Sequence, residues 1–237
     1  MKLYENDKKF INSILESVRE YRVSHKWNNN EVVLISFDFL FNKILIDNEK
    51  IKFCKKILSI NPLKYGFNGV LYNENKNEIE PRLFKILSGQ KLKNNTKIQA
   101  QYVLKDVYAK FKRMNNFLKK DIGVGVIIQS GYRSPAYQLI VFLWNLRNSN
   151  YNFNKIAREV ALPFYSEHGC AYNQALDFVA YNSNGLFDST NFKKTKEYKW
   201  LKENAEYFGF YESYPKNNKL GFIYEPWHWH FENKKTE

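Results

Sequence analysis

Near its C-terminal end the chain reads Glu225-Pro226-Trp227-His228-Trp229-His230, and upstream it reads Ser166-Glu167-His168, with Asp177 following. Two imidazoles and one carboxylate, with a fourth coordination position left open, are the donor set of a catalytic zinc site. His168, Asp177 and His228 supply those types. Glu225, three residues before His228, is a carboxylate left over to take a proton from water that the metal polarises. Only four histidines occur in 237 residues, and three of them fall in these two segments. The spacing therefore predicts a zinc hydrolase with Zn2+ on His168, Asp177 and His228 and with Glu225 as general base.

Side chains three apart on an extended strand face opposite ways. Glu225 and His228 reach one metal only if the chain bends between them. Pro226 fixes its own φ and restricts Glu225, so a bend is expected there, with Trp227 as a wall of the substrate pocket. His230 lies two residues after His228, and the sequence leaves it open as a rival ligand, an outer partner or a surface residue. Cys170, two residues after His168, reads as a small loop side chain rather than a soft ligand. Arg133 sits in a turn directly after a buried strand, where a fixed guanidinium can hold a carbonyl or carboxylate and stabilise an oxyanion. Rival chemistries are weaker. Ser166, His168 and Asp177 have the types of a serine triad, but no G-x-S-x-G elbow is present and Glu225 and His228 would go unexplained. Gly123-Val124-Gly125 lacks the third glycine of a dinucleotide loop.

The elements that must position these residues follow from periodicity. Phe10, Ile11, Ile14, Leu15, Val18 and Tyr21 predict an amphipathic helix over 4–22. Residues 32–46 and 51–60 predict two more, the first largely buried, after a polar break at Asn28-Asn29-Asn30. Gly66-Phe67-Asn68-Gly69 marks a turn, and 72–80 reads as a polar loop. A long helix is expected over 96–120, with Ile98, Tyr102, Val103, Val107, Phe111, Met114 and Phe117 on one stripe. Residues 123–128 read as a buried strand that delivers Arg133, and Pro135 opens a helix to about Asn148. Residues 175–180 read as a strand carrying Asp177. A helix over 192–207 stops at Gly209, and strands end in the Glu225 to Phe231 segment. The chemistry lies after residue 129, so residues 1–95 are taken as a helical accessory region and 96–237 as the catalytic domain.

Composition sets outer bounds. The hydrophobic fraction of 44%, the charged fraction of 26% and the 17 Tyr, 19 Phe and 5 Trp describe a folded globular chain rather than a disordered one. The formal net charge is +13, but the lysines are scattered in pairs with no Arg-interleaved block. Charge thus bears on solubility and encounter, and no nucleic-acid partner is expected. Two cysteines make at most one bridge. Met1 to Asp7 has no apolar core of a secretory signal, and Asp38, Asn42 and Lys43 interrupt the one apolar run, so no membrane span is expected. The cytoplasm is the default location, with the periplasm or cell wall open to a chain carrying a leader. No feature sets an oligomeric state.

Ser130-Gly131-Tyr132-Arg133-Ser134 with Gln138, then Ser166-Glu167-His168, Ala175-Leu176-Asp177, Trp200-Leu201-Lys202-Glu203-Asn204-Ala205, Tyr214-Pro215 and Glu225-Pro226-Trp227-His228-Trp229 follow one another in an order that resembles the VanY-like D-alanyl-D-alanine carboxypeptidases. These belong to the M15 zinc peptidases, which include L,D-carboxypeptidases and D-Ala-D-Ala dipeptidases. The resemblance covers about residues 96–237. It implies an α+β fold, a small antiparallel sheet flanked by helices as in the hedgehog domain, with the N-terminal helical region added. It implies zinc on His168, Asp177 and His228, Glu225 as base, Arg133 as the substrate-polarising arginine, and Ser166 and Gln138 as substrate-binding positions. The implied activity is removal of a terminal D-Ala from peptidoglycan stem peptides or muropeptides. The alternatives are a phage-type endopeptidase and an inactive metal-binding protein, the latter disfavoured by the presence of both Glu225 and Arg133. One departure stands out. Eight residues separate His168 from Asp177 where the family has six, and Asn173 takes the place of a glycine. The longer loop is expected to keep a left-handed turn at Asn173 and to bring Cys170 and Tyr172 near the substrate.

Overall fold

Apolar stripes of helical period alternate with short β-rich runs, and the chain folds accordingly as a mixture of helices and small antiparallel sheets. The computed structural model describes residues 1–27, 31–72, 82–86, 100–180 and 191–233. In chain order it contains α1 (Glu5–Ser24), α2 (Phe37–Phe39) running into a π-helical stretch Leu40–Leu45, α3 (Asn48–Leu58), β1 (Leu83–Ile86) and β2 (Gln101–Leu104). There follow α4 (Lys105–Ile122), β3 (Val126–Ser130), α5 (Pro135–Asn148), α6 (Phe153–Ile156) and β4 (Ala175–Ala180), then α7 (Lys196–Asn204), β5 (Phe210–Glu212) and β6 (His228–Phe231). This is the α+β class expected. Contacts group the chain into two units that interleave in sequence, residues 1–79, 133–169 and 219–223 in one and residues 80–132, 170–218 and 224–237 in the other.

The first unit is helical. In α1 the Asp7 carboxylate accepts the Tyr4 N–H (2.9 Å) and also meets Lys56 of α3 (3.1 Å). Ile11, Ile14, Leu15 and Val18 form its buried stripe. The single helix expected over 32–46 is broken. Ser36 is extended, and its hydroxyl accepts the Phe39 N–H (3.1 Å), which ends a 3-10 turn at Val32–Leu34 and starts α2 afresh. Helix α5 begins as its sequence dictates, with the Ser134 hydroxyl accepting the Tyr137 N–H (3.1 Å) and Pro135 in the first turn. Its buried face, including Ala136, Leu139, Phe142, Leu143 and Leu146, shares one core with α1 and α3. Cys54 lies in that core as a free thiol, and burial pushes its pKa up to about 12, which disfavours the reactive thiolate.

The second unit carries a four-stranded antiparallel sheet in the order β3-β4-β6-β5 and a separate β1-β2 hairpin. The helix expected from Thr96 starts only at Lys105, because Gln101–Leu104 pairs with Leu83–Ile86 as strand β2. Its buried stripe ends on Leu118, and Phe117 is exposed. Asn115 sits within that stripe. Its amide donates to the Val126 carbonyl (2.9 Å) and accepts the Val126 N–H (2.8 Å), fastening α4 to the start of β3. The helix expected over 192–207 forms as a 3-10 turn, α7 and a second 3-10 turn, ended by Gly209 at φ 84°. The polar break at Asn28-Asn29-Asn30 and nearly all of the 72–80 loop lie outside the described residues. No helix among the described residues is long and apolar enough to cross a membrane.

Candidate active site

Strands β4 and β6 run antiparallel with Asp177 directly opposite His228. Residues directly opposite one another in a ladder project from the same face. Asp177 Oδ1 lies 2.9 Å from His228 Nδ1. The bend expected at Pro226 is present. The His228 N–H donates to the Glu225 carbonyl (3.1 Å), the Trp229 indole N–H donates to the Pro226 carbonyl (2.9 Å), and the Phe178 N–H donates to the Trp227 carbonyl (2.8 Å). The turn brings Glu225 Oε2 to 3.8 Å from His228 Nδ1. Trp227 is half-buried against the core of this unit.

Tyr214 contributes what the sequence reading did not assign. Its carbonyl accepts the Glu225 N–H (3.0 Å), and its ring packs 4.8 Å from the His228 ring. It is almost fully buried. The signal was its place before Pro215 in a motif already singled out, but nothing in the pattern gave it a partner.

His168 sits in a one-turn 3-10 helix, Glu167–Gly169. The Gly169 N–H donates to the Ser166 carbonyl (3.0 Å), and the Tyr72 hydroxyl donates to the Glu167 carboxylate (3.1 Å). The Arg133 N–H donates to the His168 carbonyl (3.2 Å), so the two residues are fixed to each other through the backbone. A Cβ on Gly169 would stand 3.0 Å from the Arg133 carbonyl, and glycine permits that approach. Arg133 is half-buried, and Ser166 is 7% exposed. Gln138 is deep in its unit at 2% exposure. Its amide donates to the Ala161 carbonyl (2.8 Å), and its Oε1 has no partner among the described residues.

The donor set fits a metal. His168, Asp177 and His228 are all buried and offer ligand atoms within 4.8 Å of one another, the one such group among the described residues. Two imidazole nitrogens and a carboxylate at this spacing suit zinc. His230 takes no part. Its Nδ1 meets the Ser213 hydroxyl (2.8 Å), its Nε2 meets Glu232 (3.0 Å), and its ring stacks on Tyr211. Cys170 is likewise outside the group, and its sulfur accepts the Asn173 N–H (3.2 Å).

The long loop differs from expectation. Asn173 does not adopt a positive φ. The Cys170 sulfur holds the turn in its place, and the Arg82 guanidinium donates to the Ala171 carbonyl (2.9 Å). Tyr172 is 78% exposed and lines a depression with Phe231 and Asn233, past the end of β6 away from His228. The two extra residues therefore bulge along the sheet rather than over the Asp177–His228 pair.

The turn that delivers Arg133 is held by its neighbours. The Tyr132 N–H donates to the Tyr102 carbonyl (2.6 Å), and the Gly131 N–H donates to the Gln101 side chain (3.0 Å). A Cβ on Gly131 would fall 2.4 Å from the Tyr102 carbonyl oxygen, a rigid backbone atom. Gly131→Ala is expected to lower stability by about 1–3 kcal/mol and to cut kcat/KM by about 100-fold as Arg133 shifts. Urea unfolding and steady-state kinetics on the same samples check both, and a variant with wild-type kinetics would show that the turn does not aim Arg133.

Known proteins resemble this chain. Residues 100–234, more than half of the chain, match the family model VanY: D-alanyl-D-alanine carboxypeptidase. The YodJ protein of Bacillus subtilis (strain 168) is 35% identical over 142 residues, covering 59% of this chain and 50% of that protein. A D-alanyl-D-alanine carboxypeptidase of Enterococcus faecium is 33% identical over 130 residues, covering 54% of this chain and 36% of the relative. The chain thus spans half or less of the length of the curated relatives it matches. Among solved structures, the LdcB LD-carboxypeptidase superposes with a TM-score of 0.52 at 31% identity, over 65% of this chain and 70% of that one. With the family model matched across both histidines, Asp177, Glu225 and Arg133, the chain belongs to the VanY family of D-alanyl-D-alanine carboxypeptidases.

Proposed function

We propose that this protein is a zinc-dependent carboxypeptidase that removes a terminal D-alanine from peptidoglycan stem peptides, with D,D- or L,D-specificity. The observation that carries the reading is the buried His168–Asp177–His228 group with the Glu225 carboxylate 3.8 Å from His228. The Enterococcus faecium relative is named for the D-alanyl-D-alanine activity and the LdcB neighbour for an LD-carboxypeptidase.

His168, Asp177 and His228 would hold the zinc, which when bound supplies a Lewis acid able to polarise a carbonyl and to acidify water. Glu225 is not one of the donors, so its carboxylate is left to accept a proton from water and return it to the leaving amine. Its backbone is fixed by Tyr214 and its position by the Pro226 turn, so the base is oriented before substrate arrives. Arg133 holds the carbonyl or terminal carboxylate by charge-assisted hydrogen bonds, and the backbone bond from Arg133 to His168 ties that contact to a ligand-bearing turn. Ser166 and Gln138 are proposed to help hold the peptide end, and Trp227 to wall the site. Residues 96–237 act as the catalytic region, and residues 1–95, which lie outside the family match, as an accessory region.

Purified zinc-loaded protein incubated with tetrapeptide and pentapeptide muropeptides should release one D-Ala, read by mass. Loss from the pentapeptide alone marks a D,D-enzyme, and loss from the tetrapeptide an L,D-enzyme. Cleavage inside cross-links with no terminal release would replace the proposal by an endopeptidase.

A further inference from the structure

The helical unit holds a cavity of about 730 Å³ that the proposed chemistry does not use. Its size is that of ordinary small-ligand sites, about 300–1,000 Å³. Three phenyl rings line its apolar side, Phe37, Phe41 and Phe164, with Phe41 and Phe164 centred 5.4 and 5.6 Å from Phe37. Its rim is polar, formed in part by the exposed side chains of Asp38, Asn42 and Lys55. The Asn42 amide donates to Asp38 Oδ1 (2.6 Å), which presets both groups and turns the amide oxygen and the second carboxylate oxygen to other partners.

The local backbone is irregular here. Phe41 and Asn42 belong to the π-helical stretch, a form that recurs at functional sites. Ile46, which ends that stretch, has φ 51°, and Phe164 has φ 73°. Bulky residues in the left-handed region persist where their surroundings hold them. Phe164 is also tied to the turn bearing His168. Its carbonyl accepts the Tyr72 N–H (2.8 Å), and the Tyr72 hydroxyl reaches Glu167.

The rim offers both acceptors, on Asp38 and Asn42, and donors, on Lys55 and Asn42, which suits a ligand whose edge groups both donate and accept. Aromatic rings attract C–H groups, and Phe41 and Phe164 are the partly exposed members of the three. An uncharged ring with an apolar C–H face and hydroxyl or acetamido groups at its edge satisfies both parts, since amide, carboxylate and ammonium groups can bond every such edge group. We propose that this cavity is a saccharide site taking N-acetylated amino-sugar rings of the glycan that carries the stem peptides. The sugar class is argued from the cavity, and the choice of glycan rests on the function proposed above.

Calorimetric titration of the full chain with di-N-acetylchitobiose, an uncharged pair of such rings, tests it. Binding is expected, weakened at least about tenfold in an Asp38→Ala, Asn42→Ala double variant that loses rim hydrogen bonds. Both residues are exposed, so the melting temperature should hold. Phe41→Ala should weaken binding as well. No binding of the disaccharide, or binding unchanged in the double variant, overturns the proposal. Hydrolysis of a glycan-free stem peptide by the same samples reads the functional proposal separately. Hydrolysis without sugar binding removes the sugar site alone. Sugar binding without hydrolysis leaves the site standing and removes the peptidase reading.

Discussion

Glu225→Gln is expected to lower kcat on stem peptides by about 1,000-fold, the scale of a lost general base, while the protein still binds zinc. Glutamine keeps the size of the side chain and its hydrogen-bonding reach. The Glu225 N–H to Tyr214 carbonyl bond and the Pro226 turn involve backbone or other residues and remain. What disappears is the capacity to hold a proton. Metal analysis and kinetics on one preparation separate the roles. If kcat falls by less than tenfold, the base lies elsewhere; if zinc is lost as well, Glu225 belongs among the ligands.

Asp177→Ala should weaken zinc binding by more than about 100-fold, beyond the loss that follows from disturbing residues around a ligand. The apoprotein should then be inactive. The strand itself should survive, because Asp177 pairs with His228 and Ser130 through the backbone, and far-UV circular dichroism would report this. His230→Ala is the matched control. Both ring nitrogens of His230 are engaged by Ser213 and Glu232, so its loss should leave zinc content unchanged. Zinc lost from His230→Ala and kept by Asp177→Ala would reverse the ligand assignment.

Parts of the candidate site could be read from the sequence where the backbone is locally constrained. Pro226 made the Glu225–His228 bend predictable, and Ser134-Pro135 made the start of α5 predictable. His168, Asp177 and His228, singled out by residue type, lie together in one buried group that could hold a metal. Other parts were hidden for physical reasons. Tyr102, Val103 and Val107 satisfy a helical stripe as well as a strand followed by a helix, and only pairing with Leu83–Ile86 decides for the strand. Strand β1 is four residues long and half exposed, too brief for period-2 alternation to register. Neither Asn115 nor Gln174 stands out in the sequence. Each instead satisfies backbone groups in a buried place, Asn115 at Val126 and Gln174 at the Leu104 N–H (2.8 Å). A buried polar residue acquires its meaning from a partner distant in sequence, and periodicity cannot supply that partner. His230 shows the reverse, a residue type with ligand chemistry made unavailable by its neighbours.

The core that α5 shares with α1 and α3 changes how the first 79 residues are to be understood. They lie outside the family match, yet they cover Leu139, Phe142, Leu143 and Leu146, on the helix that begins two residues after Arg133. A fragment trimmed to the family boundary would leave that face bare, and a contiguous apolar face of this kind drives association. The N-terminal helices and α5 thus bury one another, so a shortened chain has to keep those helices or carry polar residues on that face of α5.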